Sequence, residues 1–483
     1  MERPHVIVVG GGISGLTAAY ALTGGVAPDQ ALSVTVLEFD DRLGGKLASV
    51  TLEGQRVDTG PDGFLARRPE AVTLCRELGA DPHLEVPGAL GASIFARGKL
   101  RPMPTRLNLG VPTSWRALAR SGVLSWPALL RAGLDVVAPR RDLRGPLGDR
   151  AIGPFVEKKL GRAVVATLVD PMIGGIHAGR VADMSAAVVF PPLLAAAGDN
   201  GSLMHAMAKS LPPAPAPDAP AAPVFNALHD STSSLIDLLR EELLRRGVTI
   251  TTGAEVTAVA RAPLGTGTWT VTTPGATMVS DGLILATPTP VTAQLVGEVD
   301  HELAGLLSTI DYASVATVTL VVPSGVLPED RHGTGLLIPA IARRRDGSAF
   351  LASAVTWLSR KWPHLGRPDT ELVRLSTGRI DDQRFMAMTD LELTAALRDE
   401  LAEVIGVSIP VGPSSVTRWM DAFPQYRVNH ALRVQGIEAA AASHPSLAVC
   451  GAAYHGIGIP ACIGSGRTAA AAVRAQLLGD PQS

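Results

Sequence analysis

His5-Val6-Ile7-Val8-Val9-Gly10-Gly11-Gly12-Ile13-Ser14-Gly15 opens the chain, and its reading decides the fold. The apolar run that ends in glycines reads as a parallel strand buried on both faces. Small and apolar residues continue to Thr23 at helical spacing, and Ser33-Val34-Thr35-Val36-Leu37-Glu38 reads as a second strand. Strand, helix and strand in that order make a compact β-α-β unit. Its first turn carries Gly10-x-Gly12-x-x-Gly15. Gly10 permits the tight turn, Gly12 lets a pyrophosphate approach the backbone, and Gly15 lets helix and strand pack closely. Ile13 and Ser14 begin the helix, whose unpaired N–H groups and positive end suit phosphates. Glu38 follows Gly15 by 23 residues, where a carboxylate accepts hydrogen bonds from ribose hydroxyls. The unit predicts dinucleotide binding.

Composition sets the outer bounds. At about 100–200 residues per domain, 483 residues imply two to four domains. Hydrophobic residues at 46% against 18% charged exclude a disordered chain. Lys+Arg number 43 and Asp+Glu 45, so the basic footprint of a nucleic-acid binder is missing. Three cysteines are too few for a disulfide framework or a Cys-rich zinc site, and a reducing, cytoplasmic compartment fits best. The histidines show no H-E-x-x-H spacing, so no metal is expected. No secretory signal is read at Met1–His5, and no apolar stretch reaches the ~18 residues of a spanning helix. The expectation is a soluble protein, at most peripheral at a membrane.

Further along, Trp115–Val137 mixes apolar and basic residues at helical spacing, as an inserted helical domain or a lipid-facing segment would. The Pro/Ala tract of 211–223 reads as a loop. A helix is predicted within 230–247, capped by Asp230 or Ser231 and ended by Gly247. Strands are predicted over 248–251, 254–260, 269–273 and 282–286, then 313–322, 349–357 and 372–377. A helix over 390–405, a strand over 447–450 and a helix over 461–478 close the chain. The nucleotide unit is thus expected to be assembled from the beginning, middle and end.

Asp41-Arg42-Leu43-Gly44-Gly45-Lys46, downstream of Glu38, resembles the second FAD fingerprint of amine-oxidase-like flavoproteins, where the arginine and glycine doublet continue along the diphosphate. In such proteins the segment matching Gly60-Pro61-Asp62-Gly63 runs beside the flavin ring. Gly456-Ile457-Gly458, opening the last helix, offers backbone donors to negative charge on a reduced flavin. Thr287-Pro288 resembles a turn of the same flavoproteins, a comparison in which the Val256 backbone pairs with adenine. Trp419 and Tyr454 are candidates to sit near the flavin. Cys450 and Cys462 lack the Ser-Gly-Gly-Cys-Tyr context of covalent flavin attachment, so non-covalent FAD is expected.

Two longer segments sharpen the likeness. Arg418-Trp419 with Ala422-Phe423-Pro424-Gln425-Tyr426 and His430 resembles the oxygen-dependent porphyrinogen oxidases, as does Gly174-Gly175-Ile176-His177-Ala178-Gly179. The resemblance runs from about residue 5 to 475. It implies six-electron oxidation of a porphyrinogen by FAD, with hydride passing to flavin N5, O2 as acceptor and H2O2 as by-product, in haem biosynthesis. Coproporphyrinogen III is the favoured substrate and protoporphyrinogen IX the alternative. An amine oxidase or desaturase on the same scaffold is a more distant reading. A flavin-bound redox sensor is the non-enzyme one. Arg67, Arg68, Lys99 and Arg101 are candidates to meet propionates, and His455 is a candidate acid or base. No catalytic base is assigned. The fold class expected is α/β, a two-dinucleotide-binding-domain flavoprotein with three parts. The FAD domain comprises 1–85, 225–290 and 415–483. A mixed-sheet substrate domain comprises 86–105, 190–224 and 291–414. A helical insertion over 106–189 would face a membrane or a partner ferrochelatase.

Overall fold

A computed structural model describes residues 3–24, 32–89, 91–137, 148–197, 201–211, 223–262 and 268–479. The Pro/Ala tract falls outside these residues apart from its ends. Five strands make one wholly parallel sheet: β1 (His5–Val9), β2 (Ser33–Leu37), β3 (Thr249–Thr251), β4 (Gly282–Leu285) and β5 (Leu447–Val449). Their spatial order is β3-β2-β1-β4-β5, so start, middle and end of the chain do share one sheet. Alternate side chains of β1 serve different cores. Val6 and Val8 pack under helices Ile13–Thr23, Ser234–Arg245 and Ile459–Leu478. Ile7 and Val9 face a core shared with the antiparallel strands Ala258–Arg261 and Trp269–Thr273 and with helix His430–Ala442. That two-sided burial is why the run lacks polar alternation.

Two glycines fix the helices. A Cβ on Gly15 would stand 1.9 Å from the Gly10 carbonyl oxygen, and one on Gly466 would stand 2.2 Å from that of Ser14. The first and last helices therefore cross closer than any side chain at Gly466 would allow.

A seven-stranded mixed sheet runs, in order, Ser414–Pro424, Tyr312–Pro323, Thr370–Thr377, Ala352–Trp357, Gly335–Leu337, Ser93–Ala96 and Lys99–Pro102. Helix Asp390–Ile405 packs on it through Leu393, Leu397 and Leu401. A capping box between Thr389 and Glu392 starts that helix. Short helices between Trp115 and Lys209 enclose a third core built on Leu118, Ile152, Phe155, Phe190 and Met207. Pro191–Ala197 and Leu203–Lys209 belong to this core through Leu193, Leu203 and Met207. The buried Asp135 carboxylate ties it together, accepting from the Ser202 hydroxyl at 2.7 Å and from the Leu203 and Met204 amides.

Trp115–Val137 is helical, in two pieces, Trp115–Ser121 and Trp126–Val137, separated where Gly122 takes φ 64°. Two local expectations are corrected. The helix expected from Asp230 begins at Ser234, and neither Asp230 nor Ser231 caps it. Val256 lies ahead of its strand, which starts at Ala258, because the Ala254 amide donates to the Glu38 carbonyl and draws the chain aside. Among the described residues no helix is long and apolar enough to cross a membrane.

Candidate functional site

The glycine turn of β1 is built as the sequence predicts. Gly10 adopts φ 107° and packs under the Ala286 carbonyl, which a side chain would strike. A Cβ on Gly12 would meet nothing within 4 Å, so the backbone of the first turn faces open space. Helix Ile13–Thr23 starts there with no side-chain cap, leaving its first N–H groups available. Glu38 is buried beside this turn, its carboxylate accepting from the Gly11 amide at 2.5 Å and the Asp40 amide at 2.9 Å.

The second glycine segment docks onto the first. The Gly44 amide donates to the Gly11 carbonyl at 2.9 Å. A Cβ on Gly45 would lie 3.6 Å from the Gly12 Cα. Arg42 donates to the Gly45 carbonyl at 2.8 Å and lies 6.0 Å from the Trp419 ring centroid. Lys46 is half-buried near Cys462, and burial lowers its pKa. Among the described residues no carboxylate pairs with it. A cradle open at Gly12, uncapped amides and an ammonium lacking a protein counter-ion fit a diphosphate-bearing cofactor.

The third segment follows against the second. A Cβ on Gly60 would stand 1.9 Å from the Lys46 carbonyl oxygen, and the Thr59 amide donates to Ala48. Trp419 reaches across from the mixed sheet, its indole N–H donating to the Thr59 carbonyl at 3.1 Å. Asp62 turns away. Its carboxylate pairs with Lys361 and Arg374, each at 3.0 Å, and accepts from the Trp362 indole at 3.0 Å. Those two cations hold it well below the usual carboxylate range despite its burial. Asp62 thus bolts the Gly60–Gly63 segment to the mixed sheet, and any cofactor contact there falls to backbone.

The closing loop completes the cluster. Gly458 precedes helix Ile459–Leu478, and a Cβ there would meet only the Pro460 ring. Cys462 lies near Lys46 and Ser14. Burial pushes the pKa of both the Cys450 and the Cys462 thiol up. The predicted segments at 10–15, 38, 42–46, 60–63, 419 and 456–458 therefore gather at one end of the parallel sheet.

Other candidates fall elsewhere. Lys99 and Arg101 lie on the edge strand opposite to that of Trp419, six strand spacings away, or about 29 Å at ~4.8 Å per strand. Arg68 pairs with Glu70 at 2.6 Å, and His455 with Glu438 at 2.6 Å on the surface. The Tyr454 ring is buried in the core behind β4, with its hydroxyl unpartnered.

The two long segments, 171–179 and 418–430, meet in space although some 240 residues separate them. Gln425 donates to the His177 carbonyl at 3.0 Å, and the Ser185 amide donates to the Tyr426 carbonyl at 2.8 Å. The Tyr426 ring stacks on His430 with centroids 4.1 Å apart, and His177 tilts toward it at 5.8 Å. Tyr426 donates its hydroxyl to the Ala452 carbonyl, and His430 Nε2 lies 2.9 Å from the Ala453 carbonyl oxygen. This ladder joins the helical region to the loop beside the glycine cradle. Burial depresses both imidazoles to about 4, so they are neutral at physiological pH. Sequence reading quoted these residues without assigning them a role. The i, i+4 spacing of Tyr426 and His430 was the available signal.

A glycine cradle on a parallel sheet, facing a mixed sheet across Trp419, places the chain in a definite class. The model of the flavin containing amine oxidoreductases matches residues 13–474, and the chain belongs to that family. It is accordingly a flavin-dependent oxidoreductase with FAD as cofactor. It is 37% identical over 481 residues to the coproporphyrinogen III oxidase of Mycobacterium leprae (99% of this chain, 100% of that one). It is 29% identical to the coproporphyrinogen III oxidase of Bacillus subtilis, covering 97% of both. The crystal structure of a putative protoporphyrinogen oxidase from Exiguobacterium sp. 255-15 superposes with a TM-score of 0.85 at 28% identity, covering 98% of this chain and 99% of that one.

Proposed function

We propose that this chain oxidises coproporphyrinogen III to coproporphyrin III, taking six electrons and delivering them to three O2 as three H2O2. The end-to-end likeness to relatives carrying that name, at 37% and 29% identity, carries the reading. When bound, FAD supplies a hydride acceptor at N5 and a route for the electrons to O2. The chain's own work is positioning and exclusion of water. Gly10, Gly12, Ile13, Ser14 and Gly15 present amides to the diphosphate, and Glu38 turns its carboxylate to the ribose. Arg42, Gly44, Gly45 and Lys46 continue along the diphosphate. Backbone of Gly60, Pro61, Asp62 and Gly63, the Trp419 ring and the amides of Gly456, Ile457 and Gly458 line the flavin. Val256 meets the adenine with its backbone. His177, Tyr426 and His430 are positioning residues that hold the closing loop. Neutral imidazoles there avoid a fixed positive charge beside the substrate.

The domain division read from the sequence belongs to this proposal, with 191–209 grouped with the helices and 414–424 with the mixed sheet. Trp126, Leu130, Leu134 and Val137 are exposed at 72%, 64%, 47% and 78% on one helix. With the exposed Arg116 and Arg120 on the helix before it, they suit peripheral contact with an anionic bilayer from the cytoplasmic side, or with a ferrochelatase. Flotation with vesicles of 30% anionic lipid, before and after Trp126→Ser with Leu130→Ser, tests the lipid contact. A lipid-bound fraction unchanged by the double variant would refute it.

The decisive assay measures porphyrin fluorescence from flavin-loaded protein in air, with coproporphyrinogen III and protoporphyrinogen IX compared against the no-enzyme rate. Preference for the first is expected. Preference for the second would overturn the substrate, and no turnover of either would overturn the reaction.

A further inference from the structure

A cluster outside the glycine cradle has chemistry of its own. Glu85 ends the short strand Leu84–Glu85, paired antiparallel to Phe225–Leu228 with Ala227 opposite Glu85. His229 follows directly, and its amide extends the ladder by donating to the His83 carbonyl at 3.0 Å. His364 sits in the tight turn Pro363–Leu365 on the other flank, after Trp362, which is only 1% exposed. Three backbone-anchored elements thus bring together residues 144 and 135 positions apart, a distance at which no spacing motif in the sequence is visible.

His229 Nδ1 lies 2.7 Å from a Glu85 carboxylate oxygen, and the two imidazole centroids are 5.1 Å apart. One ligating atom from each of the three residues lies within 4.8 Å of the others. His364 Nδ1 is buried and has no hydrogen-bond partner. Burial is the largest influence on His364 and favours its neutral, ligating form; His229 acts in the same sense, and the Glu85 and Asp230 carboxylates act against them. The nearby Arg56 is paired with Asp237 at 2.8 Å, and Lys361 is paired with Asp62.

We infer that Glu85, His229 and His364 form a binding site for a divalent transition-metal cation, with Zn2+ the best match to two imidazoles and one carboxylate. Bond lengths of about 2.0–2.2 Å set ligand atoms about 3.3–3.6 Å apart in a tetrahedron. The half-exposed His229 ring need only turn to reach that spacing, with water in the fourth position. Hard cations such as Mg2+ prefer an all-oxygen shell and are excluded by ligand type. The ion replaces the proton between His229 and Glu85, so binding releases protons. It is a clip rather than a reaction centre. His364 is two residues from Trp362, which holds Asp62 and packs against Gly63, where a Cβ would stand 2.9 Å from the indole. Occupancy therefore pins the turn that backs the Gly60–Gly63 segment.

The test uses the full chain loaded with FAD and stripped with a chelator. Calorimetric titration with Zn2+ at pH 7.5 is expected to give one saturable site, and Mg2+ none. Loss of one ligand should weaken binding at least as much as loss of an outer-shell partner, on the order of 10–100-fold. Glu85→Gln and His229→Gln are the primary variants because both lie toward solvent, and His364→Gln is the third. Co2+ should give the visible absorption of a four-coordinate ion, and that signal should disappear in each variant. Zn2+ should also raise the melting temperature of the parent protein by a few degrees but leave the variants unmoved. Binding that persists undiminished in all three variants, or no saturable site in the parent, overturns the assignment.

Discussion

Replacing Asp62 by Asn removes one negative charge from between two cations and keeps the side chain's volume. In the parent, a single carboxylate oxygen receives Lys361, Arg374 and the Trp362 indole, each at 3.0 Å. The side chains of Arg374 and Lys361 are 7% and 17% exposed, so water offers them little compensation. Breaking a buried pair costs about 3–5 kcal/mol, against roughly 0–1 for an exposed one. Arg374 keeps part of its satisfaction through the Asp58 and Gly60 carbonyls at 3.2 and 2.8 Å, which places the expectation near 3 kcal/mol, the low end of that range. Urea unfolding at pH 7 with saturating FAD reads this as a lower midpoint at unchanged slope. Adding Lys361→Met to Asp62→Asn relieves one stranded cation, so the double variant should be more stable than the single by at least about 1 kcal/mol. A loss below about 1 kcal/mol in Asp62→Asn, or a double variant no better than the single, would refute the view that this trio joins the Gly60–Gly63 segment to the mixed sheet.

Gly12→Glu should leave the fold intact, since nothing stands near its Cβ, yet abolish the flavin spectrum; Gly15→Ala should lose fold and flavin together, as its Cβ strikes the Gly10 carbonyl. Circular dichroism beside flavin absorbance separates the two. Lys46→Met should weaken FAD by about tenfold or more while the apo-protein melts no lower, because it removes a half-buried ammonium that no carboxylate among the described residues neutralises. Loss of apo-stability instead would make Lys46 a structural residue. His177 and His430 stay neutral in the folded chain down to about pH 4, whereas in the unfolded chain they protonate near 6.5. Stability is therefore full above pH 6.5 and falls between 6.5 and 4, by about 3 kcal/mol for each imidazole across that window. His177→Phe should flatten the decline between pH 6.5 and 4.5, and an unchanged slope would count against the assignment.

What sequence could and could not reveal follows the range of the interactions. The β-α-β unit was legible because its turn, helix and acid lie within 38 residues and each glycine answers a local clash. Ser231 was misread as a cap for a related reason. A hydroxyl before an apolar helix satisfies the local rule, but its actual acceptor is Asp58, 173 positions earlier, with Ser233 and the Thr232 amide serving the same carboxylate. The partners of Asp62 lie 299 to 312 positions away, so its glycine-rich setting suggested a cofactor role while the ion pairs that direct it stayed invisible. Lys99 and Arg101 carry the right charge for propionates but sit on the far edge strand, which only sheet order discloses. Val256 continued an apolar pattern whose first residues leave the ladder for Glu38.

The crossing of helix Ile459–Leu478 over helix Ile13–Thr23 bears on how the chain is made. Some 446 residues are synthesised between the start of one helix and the start of the other. At about 5–20 residues per second the first β-α-β unit waits roughly 20–90 s for the helix that covers it. Through that interval Leu16, Ala19 and their neighbours lack their final cover, so the nascent chain depends on a chaperone or on provisional contacts until helix Ile459–Leu478 has been made.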